Sequence, residues 1–590
     1  MKQSAANKYW WIALTAIFVA VVYLSSFIHE RIDLTAEKRY SLSPATTRLL
    51  KDMNEVVQVQ VFLTGDLPAD YKKLSLATKE LLEEFNSLSA NQVRFSFEKP
   101  GDGIRNDTVK MALYDSLARL GVVFENNESV SARNEQSTSR LIIPSALVTF
   151  GHHKPIAIDL RSSRRIYKQY NVITDQPQED AEATRNAAEA LLEYKFANAI
   201  DKLTRKYVPT IAYVVGNGEP IDLTVNDLGE SLRNEYRLAV FDLKKGYPDA
   251  SLIDALVIAK PNKTFTDEDK LKLDQYVMNG GKIIWFIDKL HADLDSLMRS
   301  KAEYTAYDRG LDLDDLLFRY GVRVNGDLLQ DRNCARIPVV TGYNPNGEPI
   351  MTSVPWPYYP LLSARDNNPI SKNMDRVLPF FPSSIDTVNA PGIHKTILLS
   401  SDTASRRLAS PSIVSLNSAK NFYDKIEGQS YNQSYLPVAV LLEGKFRSFF
   451  ANKGGVSLAD SVQRASGRPF LSNAIRGSKQ IMVSDADIVT NIVSNRDGPL
   501  PMGEQLPPEN YRFANREFFL NCIDYLVSRN QLFESRNKDL VLRLLDKRKV
   551  EEQRNTWQFL NIVLPIALVV LVGLVYQWRR KKKYGTIFTS

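Results

Sequence analysis

Five acidic residues stand just past apolar runs that read as β-strands: Glu219 after Val215, Asp288 after Ile287, Asp402 after Leu399, and Asp485 with Asp487 after Val483. In a doubly wound sheet the carboxyl ends of the strands line the ligand crevice, so carboxylates there can converge on a cation or a sugar. Gly216, Asn217 and Gly218 lead into Glu219 as a Gly-rich turn. The candidate crevice for a ligand or partner is therefore Gly216, Asn217, Gly218, Glu219, Asp288, Asp485 and Asp487. A plainer reading covers the same residues, because Asp after a strand caps the next helix and paired glycines form turns.

Other chemistries lack their residues. A phosphate-binding loop needs G-x-x-x-x-G-K-[ST], yet Gly281-Lys282 is followed by Ile283 and Gly444-Lys445 by Phe446, with no hydroxyl for magnesium. His29, His152, His153, His291 and His394 do not form H-E-x-x-H, and His152-His153 beside Gly151 reads as a surface turn. No G-x-S-x-G elbow occurs. Cys334 and Cys522 are the only cysteines, too few for a disulfide framework or a Cys-rich metal site. The sequence assigns no catalytic residue, metal ligand or cofactor.

The elements that would position the acids alternate. VVQVQVFLTG sets Val57, Val59 and Val61 against Gln58 and Gln60, the period of a half-buried strand. A helix with Leu74, Leu81, Leu82 and Phe85 and a second strand, VRFSFEK, follow, and this order predicts a parallel βαβ unit. TIAYVVGNGEP, Ala255–Ala259 and Lys282–Ile287 are uninterrupted apolar strands of the kind buried on both faces. Thr266 and Asp269 approximate a capping box for a helix closed by Gly280-Gly281. Residues 331–430, with SVPWPYYPLLS and VLPFFPSSID, loosen into Pro- and aromatic-rich sequence and read as an irregular insertion. The expected fold class is α/β, including a doubly wound sheet.

The chain has 590 residues, 44% of them hydrophobic and 24% charged, enough for two or three folded units. Its ends differ from its middle. Residues 10–28 carry no charge, as does WQFLNIVLPIALVVLVGLVYQW at 557–578, and each run is long enough to cross about 30 Å of hydrocarbon. The net charge of +7 hints at nucleic acid, but five of its positives are Arg579, Arg580, Lys581, Lys582 and Lys583, flanking the second span. Basic flanks stay cytoplasmic. Both short tails, 1–9 and 579–590, are thus expected in the cytoplasm of a bacterial inner membrane, and the body in the periplasm. That body divides into an α/β domain at 30–205, an interrupted α/β domain at 206–330 and 431–535 around the 331–430 insertion, and a charged helical stalk at 536–556.

The segment ERIDLTAEKRYSLSPATTRLL, Glu30 to Leu50, follows the first span with R-x-D-L-T and Y-S-L-S. It resembles the start of the gliding-motility ABC-transporter auxiliary proteins of the GldG type. The resemblance continues through QVQVFLTGDLP, IAYVVGNGEP, DALVIAKPNKTFTDEDKLKLDQYVMNGGKIIWFID, VSDADIVTN and NREFFLNCIDYL, and so covers nearly the whole chain. It implies a central domain similar to the class I glutamine-amidotransferase-like, flavodoxin-related fold. It also implies a non-catalytic subunit working with a separate ATPase, GldA-like, and a separate permease, GldF-like. Family members tend to carry G-H-G-E where this chain has Asn217, and neither cysteine falls at the strand-to-helix elbow where amidotransferases of that fold keep their nucleophile. Two other classes stay open: a membrane-tethered glycan hydrolase using two strand-end carboxylates, and a solute-binding protein with Trp356, Tyr358 and Tyr359 lining a cleft.

Overall fold

In the computed structural model the described residues are 15–20, 23 and 41–584, apart from 131–136, 163, 165, 167–180, 294–295, 298–302, 348, 421, 423–427, 454, 495, 506–510, 529–531, 533–534 and 537–546. Most of the first expected span, the R-x-D-L-T segment and the start of the stalk lie outside them. Residues 1–539 form one compact unit and 540–590 a second.

The first sheet grows from the Val/Gln alternation. Val57, Val59 and Val61 are buried, while Gln58 is exposed. Strand Val57–Val61 pairs parallel with Val93–Phe97, across helix Ala69–Leu88, as the βαβ pattern requires. Ser145–Thr149 and Ile156–Asp159 extend the sheet antiparallel, giving the order 93–97, 57–61, 145–149, 156–159. Helix Ala181–Thr204 joins the core over this sheet through Leu192, Phe196, Ile200 and Leu203.

The large sheet has eight strands. Five run parallel, in the spatial order Arg237–Asp242, Thr210–Val215, Ala255–Ala259, Ile283–Phe286, Ser478–Val483. Pro437–Gly444, Ile393–Ser400 and Ser363–Ala364 then continue it antiparallel. Ala255–Ala259 and Ile283–Phe286 are buried at every residue, because helices cover both faces. Asn226–Glu235 and Asn515–Val527 close one core, and Asp267–Met278 and Asp314–Tyr320 the other. Thr266 and Asp269 form the reciprocal capping box read from their spacing.

Residues 331–430 are more regular than their composition suggests. Cys334–Tyr343 and Pro349–Pro360 make a long hairpin, and Ile393–Ser400 belongs to the large sheet. The hairpin carries Pro338, Pro355 and Pro357 because among the described residues it pairs only with itself and its register shifts twice, so absent ladder donors cost little. Lys547–Tyr584 is one continuous helix despite Pro565.

Candidate functional site

Four parallel strands end side by side, and the chain's strand-end residues follow from that register. Thr210–Val215 lies between the second and third parallel strands in chain order; its own connection leads to one side and that of Ala255–Ala259 to the other, so a switch point opens between their carboxyl ends. Gly216 to Glu219 sit at that point. Lys260 follows Ala259, Asp288 follows Ile287, and Asp485 and Asp487 follow Val483.

The structure divides the seven expected residues into two clusters. The first is the Gly216–Glu219 turn, which packs onto the 262–264 loop. Asn262 and Lys263 donate their backbone N–H groups to the Asn217 carbonyl at 3.0 and 2.9 Å. Gly218, at φ +82°, lies so close to Asn262 that a Cβ would meet Asn262 Oδ1 at 1.9 Å, so the switch point is closed by the chain itself. Asn217 is fully buried, and its Nδ2 donates to Thr264 O and to Asp269 Oδ2, both at 3.3 Å. Glu219 accepts the Asn217 N–H at 2.8 Å, and burial pushes its carboxyl above the ordinary glutamate value. Asn217 Oδ1 and Glu219 Oε1 have no hydrogen-bond partner among the described residues.

The second cluster gathers Asp288, Asp485 and Asp487, with one oxygen of each within 4.8 Å of the others. This is a donor set that could hold a cation, yet two side chains of the protein already do that work. Lys260 Nζ lies 3.6 Å from Asp288 Oδ2 and also pairs with Asp487, and Arg309 Nη2 reaches Asp288 at 3.5 Å. Backbone donors complete the set: Ala486 N–H to Asp288 at 2.7 Å, Asp487 and Ile488 N–H to Asp485 Oδ1 at 2.7 and 3.2 Å, and Phe380 N–H to Asp485 Oδ2 at 2.8 Å. Burial pushes the Asp288 carboxyl up and the Asp485 carboxyl well up, with neighbouring carboxylates adding to the shift at both. Burial alone would lower Lys260, but Asp487 and Asp288 hold it above the ordinary lysine value. The result is a charge-compensated knot that locks three strand ends, Phe380 and the loop of Arg309 together.

The other expected groups lie apart. Asp402 accepts from Asn333 Nδ2 at 2.7 Å, and its own N–H donates to buried Asp331 at 2.7 Å. Trp356, Tyr358 and Tyr359 are buried and stack among themselves and on Phe380 and Phe381, so they form a small core of their own. Lys260 and Arg309 escaped the sequence reading, although Lys260 obeys the same strand-end rule as the acids. A cleft of about 1120 Å³, lined by Tyr71, Arg161, Lys195, Lys202, Arg516 and Asp524 among others, escaped it too. No local signal marks that cleft. Its Lys202–Asp524 pair, at 2.9 Å, joins residues 322 apart in sequence.

In the second unit, Thr556–Lys582 is long enough to cross a membrane and contains an 18-residue apolar stretch with a mean hydropathy of 2.6, none of it buried.

Comparison with known proteins places these features. The chain is 20% identical over 584 residues to an uncharacterized protein of Borreliella burgdorferi, covering 96% of this chain and 97% of that one. Among solved structures, it is similar to the mmIFT52 N-terminal domain (12% identity, TM-score 0.29, 54% of this chain and 97% of that one). It is also similar to a ThuA-like protein from Parabacteroides merdae (11% identity, TM-score 0.26, 55% and 91%). Residues 36–149 match a domain of unknown function, DUF7088. Residues 208–522, more than half of the chain and including all the strands of the large sheet, match the family described as an ABC-type uncharacterized transport system. The chain belongs to that ABC-transporter auxiliary family, and it is a transport-associated protein.

Proposed function

We propose that this chain is a non-catalytic, membrane-anchored subunit of an ABC transporter complex, with its large body in the periplasm and both ends in the cytoplasm. It works with a separate ATPase and a polytopic permease, and envelope proteins or a ligand engage the body. The observation that carries this is the helix Lys547–Tyr584. Trp557 and Trp578 are separated by about 32 Å along it at 1.5 Å per residue, which matches the roughly 30 Å hydrocarbon core. Every apolar side chain described between them is exposed, so lipid or partner helices must cover them. The basic run after Trp578 supports a cytoplasmic end.

The strand order second, first, third, fourth, fifth in the parallel part of the large sheet supports the flavodoxin-related reading of the central domain. The candidate crevice, Gly216 to Glu219 with Asp288, Asp485 and Asp487, then serves as a built edge for docking rather than for catalysis. Its acids are held by Lys260, Arg309 and backbone amides, and Asp485 is 1% exposed, which gives a glycan hydrolase no open carboxylate pair. A role in gliding motility, with GldA-like and GldF-like partners, rests on the ERIDLTAEKRYSLSP resemblance. The test is purification of the full chain from detergent extracts with identification of what accompanies it. An ATPase and a permease are expected, and recovery of the chain alone would overturn the proposal. Cells lacking the gene should spread less on agar, and unchanged spreading would remove the motility assignment.

A further inference from the structure

We infer that Arg579 to Lys583 form a binding site for anionic phospholipid headgroups, an inference that rests on the membrane-spanning reading of the helix before them. These five consecutive cations continue that helix directly after Trp578. No Asp or Glu follows Glu552, and among the described residues Arg579, Arg580, Lys581 and Lys582 are exposed with no carboxylate partner.

Helical geometry turns the run into a ring. Successive residues advance by about 100°, so four in a row point into four quadrants around the axis, and five span only about 6 Å of rise. That rise is the depth of one headgroup layer, the difference between a core of about 30 Å and a bilayer of about 40–45 Å shared over two faces. A packed partner covers a stripe on the order of 100° wide. Whichever side the span turns to a permease, two or more cations still face lipid. Lys582 Nζ lies 5.4 Å from the centre of the Trp578 ring, which places that ammonium beside a residue suited to the headgroup level. A topology signal needs only an excess of positive charge, whereas a full ring concentrates positive potential at the depth where lipid phosphates lie. The occupant is accordingly the phosphate of an anionic lipid rather than nucleic acid or a soluble phosphate.

The full chain should be reconstituted into vesicles of phosphatidylcholine containing spin-labelled phosphatidylglycerol or spin-labelled phosphatidylcholine, and the motionally restricted fraction of each label compared. At about 1 kcal/mol per cation near the surface, one headgroup contact corresponds to roughly fivefold preference for the anionic label. Raising salt from 0.1 to 1 M, which shortens the Debye length from about 10 to about 3 Å, should erase most of it. Replacing all five cations with Gln should bring the ratio to about one, while an all-Lys variant should keep it. Equal association of both labels with the wild-type chain would overturn the inference. Loss of preference in the all-Lys variant would do so too, by showing that charge is not the cause. If neither label is restricted because the chain does not enter the bilayer, the spanning reading itself falls.

Discussion

Removing the ammonium of Lys260 tests the reading of the strand-end acids most sharply. In Lys260→Met the side chain's length and apolar stem are kept, but Asp288, Asp485 and Asp487 lose the cation shared by two of them. At the 3.6 Å separation from Asp288, and with an effective dielectric near 20, one charge pair contributes about 4–5 kcal/mol before desolvation is counted. Breaking a largely buried pair typically costs 3–5 kcal/mol, and the Lys260 side chain keeps 28% exposure, which moves the expectation to about 2–4 kcal/mol. The deficit should depend on pH. Lys260 is shifted up, so its contribution is complete below the ordinary lysine pKa and is lost only as pH rises through the higher folded value. Asp288 and Asp485 are also shifted up, so above about pH 3.9 the folded protein holds more protons than the unfolded chain, and stability falls as pH climbs through that window. Without Lys260 these carboxyls rise further. Thermal unfolding of the detergent-solubilised chain should therefore show a larger wild-type-to-variant gap at about pH 8 than at about pH 5. A gap below roughly 1 kcal/mol, or one that widens toward acid, would refute the charge-compensated knot.

Four further outcomes follow from the same geometry. Asp274→Ala should destabilise by about 3–5 kcal/mol in chemical unfolding, because buried Asp274 accepts from Tyr320 Oη at 2.9 Å, Ser448 Oγ at 2.6 Å and Phe449 N–H at 2.9 Å, and all three donors would be orphaned. Burial pushes the Asp331 carboxyl up to about 6, so stability should fall as pH rises from about 4 to 6, and Asp331→Asn should flatten that slope in unfolding midpoints measured across the range. Cys334 and Cys522 are unpaired, with burial pushing the Cys334 thiol up to about 12 and Cys522 well up, so iodoacetamide at neutral pH should label them only after unfolding, as read by mass spectrometry. Gly218→Ala should lose about 2 kcal/mol or more in thermal melts, because its φ of +82° and the approach of Asn262 oppose any side chain.

Much of the scaffold was legible because its signals are local. The Val57/Val59/Val61 alternation, the unbroken apolar runs ending at Val215, Ala259 and Ile287, and the Thr266–Asp269 cap each fix an element from a handful of neighbouring residues. Strand-end logic also placed Asp288, Asp485 and Asp487 at one edge, but it could not say which acids meet. That depends on sheet order, which brings Ser478–Val483 beside Ile283–Phe286 across about two hundred residues of chain. Glu219 fell into a different cluster because the strand Ala255–Ala259 stands between. The hairpin in 331–430 was hidden by its prolines, which weaken a strand pattern in sequence but cost little where no third strand pairs among the described residues. The antiparallel direction of Pro437–Gly444 is equally silent, since a strand buried on both faces reads the same in either direction.

The most direct test of the proposed role compares partners captured by the wild-type chain with those captured when residues 557–578 are replaced by an unrelated apolar span of equal length. Both proteins should reach the membrane, and the wild type should bring down an ATPase and a polytopic permease that the replacement loses or recovers weakly. If the wild-type chain, extracted under conditions that keep membrane complexes intact, brings down neither partner, it is not a subunit of such a transporter.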